Sequence, residues 1–367
     1  MNEADRMVYP GLQRNKMAQV ATVACNRSVL SGQSRPQGCS EPMIQQQHHL
    51  HIPRPSLKQV LLAGISSGLG VFGLLVTVAL YIVAVLTHPK RKTARDLYAL
   101  SPYEFDLPAE AVTFPPRQGD YLVTGWYIPS PGAATTIPVC PGYRSRAAEV
   151  LGICAHLWKA GRNVLVFEYY GHGMPVGTSV TLGYCEVNDF LGAVAYAKAR
   201  APQTSLGVLA YSMGAAVAIM CSAWQTEVEA LVADSAFATH RGVIDFQLRH
   251  ALHLPSLPFL WLADALLWRR AGYHFRQVEP LRDIAAISPR PLLIIHGQDD
   301  RVVDPRDAQR LYAAAREPKE LWLIPNADHC GAYFADRQAY VAKIETFFRQ
   351  SLVRGPGSGE KEHDREE

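Results

Sequence analysis

Three observations predict an α/β fold, a mostly parallel sheet covered by helices on both faces. Short apolar runs alternate with helix-forming stretches from about residue 110 to residue 352, the pattern of strands joined by helical crossovers. One interval, 239–287, interrupts the alternation with a helix-like run rich in Leu, Trp, Phe and His, LRHALHLPSLPFLWLADALLWRR at its centre. It reads as a small helical cap inserted between two strands. The third observation is LGVLAYSMGAAVAIM, residues 206–220, where a strand-type run meets helix-forming alanines at a single serine, Ser212.

The elements follow in order. Residues 111–114 and 121–128 flank the turn RQGD and read as an antiparallel pair. Apolar, strand-length runs then come at 137–140, 164–167, 206–210, 230–233, 291–295 and 321–324. Helical stretches fall at 147–160, 187–199, 214–223, 307–315 and 336–352. This places the folded domain at about 102–352, between a polar segment at 1–58 read as disordered and a charged tail at 354–367.

With 367 residues, 48% hydrophobic and 19% charged, the chain can bury a large core. A formal charge of +3, with no stripe of Lys and Arg, gives no basis for nucleic-acid binding. Seven single cysteines with no CxxC suit a reducing compartment. No Asp, Glu, Lys or Arg occurs between Gln59 and Pro89, and the 26 residues 61–86 exceed the roughly 20 that cross a bilayer core. Residues 59–88 are therefore expected to form a single transmembrane anchor. Lys90, Arg91, Lys92 and Arg95 follow it, against only Arg54 and Lys58 just before, which places the catalytic part in the cytoplasm.

Ser212 has Ala210 two residues before it and Gly214 two after. A sharp strand-to-helix bend crowds the backbone, so small residues are needed at both places, and the bend lifts the hydroxyl over the sheet beside a helix N-terminus. Ligands of open parallel sheets bind beyond the carboxyl ends of the strands. There the run PLLII leads into HGQDDRVVDP, with Asp299 and Asp300, and ELWLI leads into PNADHCG, with His329. Serine, then acid, then histidine is the chain order of a nucleophile on such an elbow with its base and orienting carboxylate. Backbone N–H donors for an oxyanion are expected from Met213, next to the serine, and from Tyr143 in the loop PGYRSR.

The stretches PGYRS, VLVFEYYGHG, AYSMG, HGQDDRVV and NADH resemble the alpha/beta-hydrolase superfamily over roughly 102–352, and the arrangement is similar to membrane-anchored serine hydrolases with one N-terminal anchor and a modest cap. The resemblance implies the alpha/beta-hydrolase fold and a triad of Ser212 as nucleophile, His329 as base and Asp300 as acid. It also implies an acyl-enzyme and no cofactor. Asp300 rather than Asp299 matches the family spacing after Gly297; some members of that superfamily place the acid after the preceding strand, which makes Asp234 the alternative acid. Three departures stand out: Ala210 replaces the first elbow glycine, Pro141-Gly142 replaces His-Gly, and Glu168-Tyr169-Tyr170-Gly171-His172-Gly173 lacks the family's arginine.

The expected activity is cleavage of an ester, thioester or related acyl compound, with an acylated or lipid substrate bound by apolar cap residues such as Phe259, Leu260, Leu262, Leu266, Leu267 and Trp268. Those residues also suit simple packing of the cap. A peptidase or amidase uses the same triad, and a non-catalytic membrane-tethered interaction module is the reading from another class. Dehalogenase and epoxide-hydrolase chemistry on this scaffold needs a carboxylate where Ser212 stands. The chain carries no GxxxxGK[ST] phosphate loop.

Overall fold

The computed structural model describes residues 58–59, 70–87, 100–172, 180–250 and 253–352. The chain divides into two units, 1–62 and 63–367, and the architecture below is that of the second. Eight strands form one sheet in the order β1-β2-β4-β3-β5-β6-β7-β8. They are β1 Glu110–Phe114, β2 Val123–Ile128, β3 Thr135–Cys140, β4 Asn163–Glu168, β5 Ser205–Tyr211, β6 Ala230–Asp234, β7 Leu292–Gly297 and β8 Lys319–Ile324. β2 is antiparallel to β1 and β4, and every other pair is parallel. The antiparallel pair expected at the start of the domain and the parallel remainder are both present. β3 carries Pro138, which has no N–H to donate, and the β3–β5 pairing skips Ile137 and Pro138 before resuming at Val139 opposite Leu209.

The helices are α1 Gly70–Thr87, α2 Leu151–Lys159, α3 Glu186–Arg200, α4 Met213–Ser222, α5 His240–His250, α6 Leu257–Ala271, α7 Arg306–Ala314 and α8 Arg337–Leu352, with shorter turns between them. α8 buries Tyr340, Ile344, Phe347, Phe348 and Leu352, a stripe at helical spacing, in one core cluster with α2 and the sheet. A Cβ on Gly207 of β5 would run into Leu352 and Phe348, so Gly207, Leu209 and Tyr211 face α8. Strand alternation leaves Val208 and Ala210 for the opposite face, where α3 and α4 pack together. α3 holds its place with Glu186 and Asp189 in the first turn and Lys198 and Arg200 in the last, each sign matched to the helix dipole. The single helix expected at 147–160 begins as a 3-10 turn, Ala147–Val150, and becomes α-helical only at Leu151.

The cap lies between β6 and β7 as expected. Its main helix, α6, packs on α5 and along α1, and Phe259, Leu260 and Leu267 are buried.

The transmembrane span expected at 59–88 is not found among the described residues. Its residues 60–69 and 88 lie outside the described residues, as do the polar segment at 1–57 and the tail at 354–367. The described parts are residue 59 and α1, Gly70–Thr87. Val78, Ala79, Ile82, Val83 and Leu86 of α1 are buried within the fold. Among the described residues, no helix is long and apolar enough to cross a membrane.

Candidate active site

β5 ends at Tyr211 and α4 begins at Met213, so Ser212 alone makes the turn. Its backbone is left-handed, φ 51° and ψ −117°, a conformation that costs a non-glycine residue of order 1–3 kcal/mol and persists only when its surroundings impose it. They do: its N–H donates to the Asp234 carbonyl at 2.8 Å. Gly214 is required by close approach, because a Cβ there would stand 2.4 Å from the Pro141 carbonyl oxygen. Ala210, the departure from the family pattern, is completely buried, and its methyl is accommodated.

The loops after β7 and β8 bring the other residues to this bend. His329 Nε2 lies 2.8 Å from Ser212 Oγ, and His329 Nδ1 lies 2.7 Å from Asp300 Oδ2. The Asp300 carboxylate is fully enclosed, and its Oδ1 accepts the N–H groups of Val302 and Val303 at 2.7 and 2.9 Å. Burial pushes the Asp300 pKa up. The imidazoles of His296 and His329 and the backbone N–H groups more than offset that, holding it well below the usual carboxylate range. An ionised carboxylate fixes the proton on His329 Nδ1 and leaves Nε2 to accept from the serine. Asp299 is exposed. The alternative acid, Asp234, is buried elsewhere in the network, accepting from Tyr340 Oη at 2.7 Å and Ser235 Oγ at 2.9 Å.

Several residues that sequence reasoning passed over hold these loops. His296 Nε2 stands 3.0 Å from Asp300 Oδ2, both side chains enclosed. Asp328 Oδ1 accepts from the His329 and Arg301 N–H groups, linking the two loops. Ser235 Oγ accepts from Cys330 N at 3.1 Å. In the sequence the His-Gly at 296–297 serves only as a spacing marker, and nothing in a one-dimensional pattern distinguishes Asp328 from any turn carboxylate.

Ser212 and His329 open onto a cavity of about 680 Å³. Tyr143 shares it, and Gly142 packs so near that a Cβ would lie 3.2 Å from Ser212 Cβ. Met213 opens α4 on the other side of the serine. The apolar wall comes from Leu100, Phe105, Val150, Ile153, Tyr333 and Phe334. None of the cap residues expected to line an acyl pocket borders it. Phe259, Leu260 and Leu267 are buried in the packing of the cap instead, while Trp268 is exposed. Among the described residues, no cluster of three His, Cys, Asp or Glu could hold a metal.

Comparison with known proteins agrees with this architecture. The model of the alpha/beta hydrolase family matches residues 139–344. The protein YqkD of Bacillus subtilis is 28% identical over 307 residues, 79% of this chain and 97% of that protein. YfhR of Salmonella typhi is 30% identical over 243 residues, 61% of this chain and 76% of its own length. Among solved structures, an esterase of Pyrococcus furiosus, Pf2001, superposes with TM-score 0.60 at 23% identity over 73% of this chain and 98% of its own.

Proposed function

This chain belongs to the alpha/beta hydrolase family, and on that premise we propose that it is a serine hydrolase cleaving an ester, thioester or related acyl compound through Ser212, His329 and Asp300. The carrying observation is the unbroken hydrogen-bonded line Ser212–His329–Asp300 at 2.8 and 2.7 Å, with the serine held on a strained bend. In this reading Ser212 Oγ attacks the acyl carbon while its proton passes to His329 Nε2. The N–H groups of Tyr143 and Met213 hold the oxyanion. His329 returns the proton to the leaving alcohol or thiol, then takes one from water, which attacks the acyl-enzyme and frees the acid and Ser212. The apolar part of the wall beside the serine suits an acyl chain, and Glu149 and Arg337 also line the cavity.

Fluorophosphonate labelling of the full chain tests it. The native protein should label and Ser212→Ala should not; equal labelling of both, or of neither while both are folded, overturns the assignment.

We also propose attachment to a membrane through the segment 59–88, with the catalytic domain on the cytoplasmic side. The charge-free sequence supports this. So do exposed apolar side chains on two helices that pack together: Phe72, Leu80 and Val85 on α1, and Leu257, Trp261 and Trp268 on α6. On alkaline carbonate extraction the full chain should stay in the membrane pellet. Release into the supernatant would remove the anchor.

A further inference from the structure

The run Glu168-Tyr169-Tyr170-Gly171-His172, the point at which this chain lacks the family's arginine, contributes no group to the triad. It reaches the oxyanion loop instead. His172 is buried, and its Nδ1 accepts the N–H of Arg144 at 3.0 Å. Arg144 directly follows Tyr143, and its backbone is left-handed at φ 61°, so the bond secures a turn that an unassisted non-glycine residue resists. With Nδ1 accepting, the ring proton sits on Nε2, which donates to Glu186 Oε1 at 3.0 Å. Glu186 is itself fixed by Thr181 N–H at 2.8 Å, Thr181 Oγ1 at 2.5 Å and Gly183 N–H at 2.8 Å. The His172 ring also meets the Tyr143 ring edge-on, with centroids 5.3 Å apart. One further tie runs from the same strand end, where Glu168 Oε1 accepts from Arg146 Nε at 3.2 Å.

We propose that His172, oriented by Glu186, is a positioning residue that holds the Gly142–Arg144 turn in the conformation that aims the Tyr143 N–H at the oxyanion. The arrangement repeats the logic of the triad with a different output: a carboxylate fixes an imidazole tautomer, and the imidazole holds a backbone turn rather than activating a hydroxyl. Burial raises the Glu186 pKa, but the His172 and Thr181 bonds bring it down to about 2, so the acceptor for Nε2–H stays ionised across the neutral range. Loss of one oxyanion donor costs on the order of 10²–10³ in rate. A donor that is misaimed rather than removed costs less.

This inference rests on the hydrolase reading for its effect on rate, while the brace itself can be measured without turnover. The test compares His172→Phe, which fills the site but offers no acceptor, with His172→Asn, whose Oδ1 takes the place of Nδ1. Amide hydrogen exchange at Arg144 is read in a Ser212→Ala background; kcat and KM on p-nitrophenyl butyrate are read with Ser212 present. His172→Phe should speed exchange at Arg144 at least about tenfold and lower kcat about 10- to 100-fold with KM within about threefold. His172→Asn should restore both. Native-like exchange in His172→Phe, or a fall in activity that appears as KM alone, overturns the proposal. If exchange responds as expected but the native chain shows no Ser212-dependent turnover, the brace stands and the hydrolytic reading falls.

Discussion

His240 shows how much one buried side chain can say about solution behaviour. Its ring is fully enclosed, stacked on Tyr273 and packed near Phe275, and neither ring nitrogen has a hydrogen-bond partner. Burial pushes its pKa from the ordinary 6.5 down to about 3. The unfolded chain therefore takes up a proton that the folded chain refuses. The stability tied to His240 is complete above pH 6.5 and is lost as pH falls from there towards 3, at up to about 1.4 kcal/mol per pH unit. His240→Phe should flatten the acid side of the curve of thermal midpoint against pH between about 6.5 and 4; an unchanged slope would show that His240 is not buried neutral. Asp189 acts in the opposite direction. Burial lifts its pKa to about 7, so the stability it affects declines as pH rises between 3.8 and 7. Its Oδ1 accepts from Tyr121 Oη and its Oδ2 from the Tyr170 N–H. The charged sites differ from both because their charges are compensated. Ser212, Asp300 and His329 were each legible as residues, since a serine between small neighbours and polar residues just past apolar runs are local patterns. His172, Glu186 and His296 were not, because their roles consist of partners up to 28 positions away, as between Arg144 and His172.

Elements tell a different story from residues. Strand and helix positions follow from apolar periodicity, and each predicted run appears within a few residues of its observed bounds. β2 begins at Val123 rather than 121, and the 147–160 helix opens as a 3-10 turn. What periodicity did not reveal is which element an apolar helix buries itself against. α6 is apolar enough to line an acyl pocket, yet it packs on α5 and α1, and the wall beside Ser212 comes from α2, the turn before it, and the segment after His329. On the proposed acyl-hydrolase reading, chain-length selectivity belongs to α2. Ile153→Phe should shift the preference among p-nitrophenyl esters towards shorter acyl chains, with kcat/KM for the octanoate falling about tenfold relative to the acetate. Trp268→Ala, on the cap, should leave the ratio unchanged. The reverse result would return the acyl site to the cap. About tenfold corresponds to one or two methylenes excluded from an apolar pocket.

At the scale of the whole molecule, the site exists because β5, β7 and β8 run parallel in one sheet, so the loops after all three emerge at one edge. The order of apolar runs, the small residues about Ser212 and the placement of Asp300 and His329 are covalent facts, and they determine the fold class and the candidate triad. The sequence also determines that 59–89 lacks charge, because composition needs no partner to be read. The tertiary structure alone decided the rest. It decided that Asp300 rather than Asp234 meets His329, that the cavity opens towards α2 rather than the cap, and that His172 accepts the Arg144 N–H in the loop after β3. It also decided that α1 lies along α6, with Val85 carbonyl accepting from Tyr143 Oη at 2.6 Å. The reason is physical. Periodicity reports which face of an element must be buried, but hydrogen bonds and packing are pairwise and short-ranged, acting over about 3–4 Å. Which pairs come that close is settled only when the sheet has assembled.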